Sequence, residues 1–191
     1  MSAQRWKTEK RINGVSLVSL FGTIEAIQQA DVMAKYQFRV RNQWLDGGLT
    51  RTTVKDYLRA GAKHGERPRP FVIDSGIALL PSASNQAMDP LEYLLVAIGA
   101  SVTNAIVWHA AANGIHLDGI NTWVEGDIDI QGCLAINQHC RPGYEAIRVT
   151  VQLDAEMPDS KLDELLDLAV RYSPIFDTIS CGTLLSVIRQ S

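Results

Sequence analysis

Cysteine is scarce in this 191-residue chain, which has three: Cys133, Cys140 and Cys181. So few cannot build the dense disulfide framework of a small secreted domain. They read as reduced thiols, with a Cys133–Cys140 pairing across a loop left open for an oxidising setting. Basic charge is neither dominant nor massed. Lys and Arg total 18 against 21 Asp and Glu, a formal charge of −3, and they cluster only in the short run Arg67-Pro68-Arg69. That balance excludes a general attraction to nucleic acid or to an anionic membrane. Low-complexity tracts and internal repeats are absent, which excludes solenoid and linker-rich classes. Met1 to Arg11 is polar and charged with no uninterrupted apolar core behind it. No secretory signal is therefore expected, and the cytoplasm is the expected location.

What the chain does have is one long apolar stretch. Between Leu91 and Ala112 only Glu92 is charged, and Leu94, Leu95, Ile98, Val102, Ala105, Ile106 and Trp108 recur at three- and four-residue spacing. The spacing predicts a helix from Pro90 to Asn113, about 36 Å long. Asp89 is placed to cap it, Pro90 suits its first position, Glu92 completes a capping box, and Gly114 stops it. Apolar side chains nearly all round ask for burial on most sides, which makes this helix a central spine. Its length also fits a membrane span. Against that reading stand Ser101, Asn104 and His109 near its middle and the lack of aromatic and basic anchors at its ends.

The rest alternates between helix and strand patterns. Leu17, Leu20, Phe21, Ile24 and Ile27 predict a helix over about Ser16 to Lys35. Tyr36 to Trp44 alternates with period two as one half-buried strand, Asp46-Gly47-Gly48 turns, and Leu49 to Leu58 returns antiparallel. Gly61 to Pro70 reads as an exposed loop, Phe71 to Leu79 as a third strand, and 82–86 as a connector. Thr122 to Ile130 and Ile147 to Leu153 alternate again, the first with an acidic side that should face water. Asp159 or Ser160 should cap a helix over Lys161 to Tyr172 that ends at Ser173-Pro174, and Thr183 to Arg189 is expected as a closing strand. Strands grouped before and after a buried helix indicate an α+β fold.

These residues carry a resemblance from roughly Phe38 to Val187. Arg41-Asn42-Gln43-Trp44 followed by Leu49-Thr50-Arg51-Thr52-Thr53, the run from Asp89 to Ser101, Val107 to Ile115, Val124 to Ile130, Pro142 to Thr150 and Ser173 to Thr178 share their order and spacing with the OsmC/Ohr family. Those are the osmotically inducible and organic hydroperoxide resistance proteins. The resemblance implies an OsmC-like α+β fold, with antiparallel sheets around a long buried helix. It also implies an intertwined homodimer with active sites at the subunit interface. Residues 1–35 would then be an N-terminal helical extension and 36–191 a single OsmC-like domain. Active relatives reduce organic hydroperoxides with two cysteines, an arginine that polarises the first thiol and a glutamate that positions the arginine. In this chain the two cysteine positions are Ser101 and Ser173. Arg51 matches the arginine. Glu92 falls one residue after the glutamate position, where Leu91 stands, so a capping role suits it better.

Serine cannot be oxidised to a sulfenic acid or resolved as a disulfide, so the family chemistry fails at its two thiols. The expectation is a dimer that keeps the scaffold and an interface pocket for a small, partly apolar or peroxide-like ligand without thiol peroxidase activity. No cofactor, metal, nucleic-acid or membrane partner is expected. The alternative is an organic hydroperoxide reductase using a relocated thiol such as Cys181; a third reading is a purely structural interaction protein. A hydrolase reading fails on distance, because His109 lies about 12 Å along the helix from Ser101, and on the missing second glycine of a nucleophile elbow. A zinc site from Cys133, His139 and Cys140 lacks a fourth ligand and the usual spacing.

Overall fold

The computed structural model describes residues 10–64, 67–77 and 87–190. The connector expected at 82–86 and the end of the strand expected to reach Leu79 lie outside them. The chain divides into two compact units, Val18–Leu94 and the combination of Met1–Leu17 with Leu95–Ser191.

In the Val18–Leu94 unit, helix α1 (Leu17–Gln29) is shorter than its apolar pattern predicts. Ala30 turns extended at φ −151°, and a single 3-10 turn, Asp31–Ala34, takes the remainder. The strand expected over 36–44 is two strands in two sheets. β3 (Tyr36–Phe38) pairs with β6 (Tyr57–Arg59), while β4 (Arg41–Asp46) pairs with β5 (Leu49–Val54). Between them Arg39 leaves the ladder and forms an ion pair with Asp56. Gly47 makes the expected turn at φ 51°. The stretch read as loop contains a further strand, β7 (Ala62–His64), reached through Ala60 and Gly61 at φ 50° and 76°. β8 (Phe71–Ser75) completes the β4-β5-β8 sheet.

Helix α2 (Pro90–Ala112) has the predicted bounds to within a residue, and the reasons are visible at both ends. Asp89 Oδ1 accepts from Leu91 N at 2.9 Å and Glu92 Oε2 accepts from Asp89 N at 2.8 Å, a reciprocal capping box. At the other end Ile115 N donates to Ala110 O, Gly114 N donates to Ala111 O, and Gly114 sits at φ 76°, a Schellman stop.

In the second unit a short hairpin, β1 (Arg11–Ile12) with β2 (Val15–Ser16), precedes α1. β9 (Gly119–Asp127) and β10 (Ala146–Asp154) form an antiparallel pair from Gly119↔Asp154 to Asp127↔Ala146. As expected, Trp123, Glu125 and Asp127 face outward. The loop between these strands holds α3 (Ile130–Cys133), capped by Asp129. α4 (Asp159–Arg171) starts after Pro158, whose side chain makes no cap, so neither Asp159 nor Ser160 has the capping role. Val102, Ala105, Ile106 and Ala110 of α2 pack with Leu165 and Ala169 of α4. Burying side chains such as Val102 and Ile106 stabilises the fold by about 1.5–3 kcal/mol each.

Two expectations are corrected at the end of the chain. A helix that the pattern did not suggest, α5 (Pro174–Ser180), follows α4. The expected strand over 183–189 forms no ladder with any described strand, and its residues are exposed.

The fold is α+β, with antiparallel sheets and one long helix. α2 is also the one helix among the described residues long and apolar enough to cross a membrane, yet one flank of it supplies the core just described. Its opposite flank, Val96, Ala100, Asn104 and Trp108, is exposed.

Candidate functional site

α2 is fixed against β9 at two points that flank Ser101. Gly99 allows a close approach, since a Cβ there would stand 3.2 Å from Val124 Cγ2. Thr103 Oγ1 shares a 2.8 Å hydrogen bond with Thr122 Oγ1. Ser101, between them in the chain, is half-buried.

Ser173 is brought to it by the α4–α5 corner. The Ser173-Pro174 pair begins α5 because serine caps well and proline at the first helical position needs no N–H. Ser173 is fully buried and its Oγ accepts from Phe176 N at 3.4 Å. Its Oγ also lies 2.9 Å from Ser101 Oγ, and Ser101 Oγ accepts from Ile175 N at 3.4 Å. The two hydroxyls thus divide between them the orphan N–H groups of one short helix.

Counting protons assigns a direction to the pair. Two hydroxyls carry two hydrogens, and the bond between them uses one. Ser173 has no exposure, so an unused donor there would be costly, whereas Ser101 is accessible. The arrangement that leaves no unused donor at Ser173 has Ser173 donating to Ser101. The partners of the two oxygens in these contacts are each other and the backbone N–H groups of Ile175 and Phe176. The His109 ring instead packs against Tyr172, centroids 5.5 Å apart.

The other predicted site residues make contacts of their own. Arg51 and Glu92 belong to the Val18–Leu94 unit. Arg51 is held side-on by Asp74, Nε to Oδ1 at 2.7 Å and Nη2 to Oδ2 at 2.8 Å. The hydrogen bond and then the charge of Asp74 raise the guanidinium pKa, and the same bond lowers that of the Asp74 carboxyl. Glu92 is engaged in the α2 cap. Cys181 is exposed at the C-terminal cap of α5, so about 12 Å of helix axis separates it from Ser173. Cys133 and Cys140 are free thiols. Cys140 donates to Asp129 Oδ2, and that bond, with burial, pushes its pKa up and away from thiolate reactivity.

Asp74 was missed by the sequence reading. It faces Arg51 across the β5–β8 register, which no local spacing encodes. The α5 N-terminus was also missed, although Ser173-Pro174 carries a recognisable start signal.

A family model described as OsmC-like protein matches residues 83–187. Solved structures share the fold. The OsmC like protein from Mycoplasma pneumoniae is 13% identical, with a TM-score of 0.57 over 75% of this chain and 87% of that one. A putative osmotic stress induced and detoxification response protein from Psychrobacter arcticus is 12% identical, with a TM-score of 0.52 over 73% and 85%. An organic hydroperoxide resistance protein OsmC from Legionella pneumophila is 13% identical, with a TM-score of 0.52 over 75% and 88%. No curated protein matches the sequence.

Proposed function

The chain belongs to the OsmC-like protein family, and from that premise we propose that it acts as a homodimer with a pocket at the subunit interface. The pocket binds a small, partly apolar molecule and carries no thiol peroxidase activity. One observation carries the reading: Ser101 and Ser173, which stand where the resemblance places two cysteines, are in contact at 2.9 Å, and both are hydroxyls. A peroxidase cycle needs one sulfur to take up oxygen from the hydroperoxide and a second to displace it as water, leaving a disulfide. Two hydroxyls supply neither step. The Ser101 hydroxyl offers a hydrogen-bond donor to an electronegative atom on an otherwise apolar ligand.

The exposed flank of α2 supports the dimer. Trp108 is 59% exposed and Val96 55%, with the small Ala100 between them. A second copy of the same flank would cover them. Three free thiols fit a reducing compartment, the cytoplasm. Residues 1–35 act as an extension to a 36–191 OsmC-like domain in this reading.

The test is steady-state reduction of cumene hydroperoxide by dithiothreitol. Consumption at the uncatalysed rate is expected; turnover at thiol-peroxidase rates overturns the proposal. The exposure of Cys181 favours a second reading, a peroxidase relocated to that thiol. Mass spectrometry after hydroperoxide treatment separates them, since a sulfenic acid or disulfide at Cys181 is required by the second and absent from the first.

A further inference from the structure

The β3-β6-β7 sheet has two unlike faces. Its register sets Tyr36 opposite Arg59 and Phe38 opposite Tyr57, with Tyr57 in turn opposite His64, so these side chains share one face. Gln37, Leu58 and Lys63 share the other. On the first face the Phe38 ring lies 6.1 Å from that of Tyr36 and 5.6 Å from that of Tyr57, and the Tyr57 ring lies 6.5 Å from that of His64. The Arg59 guanidinium stands 5.4 Å from the Tyr36 ring centroid, and its Nε donates to Met33 O at 3.3 Å. Ring contacts of this kind brace a hairpin, but bracing uses only the sides of the rings that meet. Phe38 is 77% exposed and Tyr36 43%, so the cluster keeps an open surface.

The chain around this surface is basic. The overall charge of −3 conceals an uneven distribution: residues 35–69 hold nine of the 18 Lys and Arg and three of the 21 Asp and Glu, a formal +6, while the remaining residues carry −9. The sequence spreads these bases out, and the antiparallel pairing of β3 with β6 and of β6 with β7 brings several of them together. Lys35 and Lys55, just ahead of β3 and β6, and Arg41, at the head of β4, are exposed. Asp56, the acid beside Tyr57, pairs with both Arg39 and Lys63. A second copy of this face is ill suited to cover it, because a two-fold contact sets the same positive charges against each other. What fits is a polyanion carrying flat, unpaired rings, whose phosphates meet Lys and Arg while its bases stack on the aromatic side chains.

We propose that the Tyr36, Phe38 and Tyr57 face, with Arg59, is a binding surface for single-stranded nucleic acid. It is separate from the ligand pocket proposed above and does not depend on it. A duplex offers the same phosphates but keeps its bases stacked inside, so it gains the charge and not the rings.

The experiment follows the fluorescence anisotropy of a fluorescein-labelled oligothymidylate of about twelve nucleotides, within the length range that such surfaces cover. It is titrated with the full chain and with the Phe38→Ala and Arg59→Gln variants, and again after annealing to its complement. The full chain should bind the single strand with a micromolar dissociation constant at about 50 mM salt, and the duplex more weakly. Phe38→Ala should weaken binding about tenfold or more, with unchanged far-ultraviolet circular dichroism because the side chain is exposed. The logarithm of affinity should fall against the logarithm of salt with a slope of about −2, as for three neutralised phosphates, and Arg59→Gln should lessen that slope by about 0.7. No binding at about 100 μM protein overturns the proposal. So does an affinity unchanged by Phe38→Ala, or equal for strand and duplex, since either means attraction by charge alone. Light scattering supplies the last check: a parent dimer that Phe38→Ala turns into a monomer means a second copy covers the face, and the proposal fails.

Discussion

Ser173 Oγ stands 2.9 Å from Ser101 Oγ although 72 residues separate them in the chain. A capped long helix carries the first and a serine-proline helix start carries the second, and the packing of α2 on α4 brings the two together.

The double variant Ser101→Cys with Ser173→Cys should close a disulfide on mild oxidation, because the side-chain atoms already meet and a bridge requires sulfurs ~2.05 Å apart. Titration with a thiol reagent should show two fewer free thiols than in the reduced form. The cross-link should stabilise the fold by about 2–4 kcal/mol against urea. Five titratable thiols after oxidation would mean that the pair is not in contact in solution.

Ser173→Ala should destabilise the chain by about 1–2 kcal/mol. It removes the α5 cap and leaves Phe176 N without its acceptor. Urea unfolding measures the loss. Ser173→Thr, which keeps the hydroxyl, tests whether the oxygen rather than the volume matters; an equal loss in both variants points to packing alone.

Acid should weaken the fold through carboxylates paired with arginine. Asp74 is held below the usual carboxyl pKa by its hydrogen bond to Arg51, and Asp127 likewise by Arg148. Their unfolded values are about 3.9. A depressed folded pKa means the contribution is complete above that value and is lost as pH falls through the folded values. The urea midpoint should therefore be level above about pH 5 and fall below about pH 4. The Arg51–Asp74 pair is 49% and 37% exposed. Salt at about 0.5 M should flatten its share of the slope, and Asp74→Asn should remove that share. An unchanged acid limb in Asp74→Asn would show that the pair is energetically silent.

Trp108→Glu places a charge at the centre of the flank proposed to face a second copy. The variant should sediment as a monomer under conditions where the parent is a dimer. Because the side chain is 59% exposed in the single chain, the monomer itself should keep its helix content. A dimer of unchanged affinity would move the interface elsewhere.

The long helix was legible because its signals are local: Asp89 and Glu92 at one end and Gly114 at the other act within a turn of themselves. The β4–β5 pair was legible from alternation and a turn, and β9 and β10 were legible as alternating stretches, although their pairing was not read. Alternation failed over Tyr36 to Trp44, because period two reports which face a residue lies on and not which strand it pairs with. The chain changes sheets at Arg39 without breaking the pattern. Periodicity also suggested a strand at 183–189, where the described chain offers no partner. Of the site, Ser101 and Ser173 were marked by the family's order of motifs, whereas the pairing of Arg51 with Asp74 depends on a strand register that no short stretch of sequence contains.

Asn13 has one further effect. Its side chain donates to Ile115 O and accepts from Leu117 N, at 2.9 and 3.0 Å, so the β1–β2 hairpin is stitched to the segment that leaves the long helix. Trimming this chain back to residue 18 would strip a carbonyl and an amide more than a hundred positions downstream of their mates. The Arg11–Ser16 hairpin is therefore a brace for the segment after the long helix, and any shortened version has to begin ahead of it.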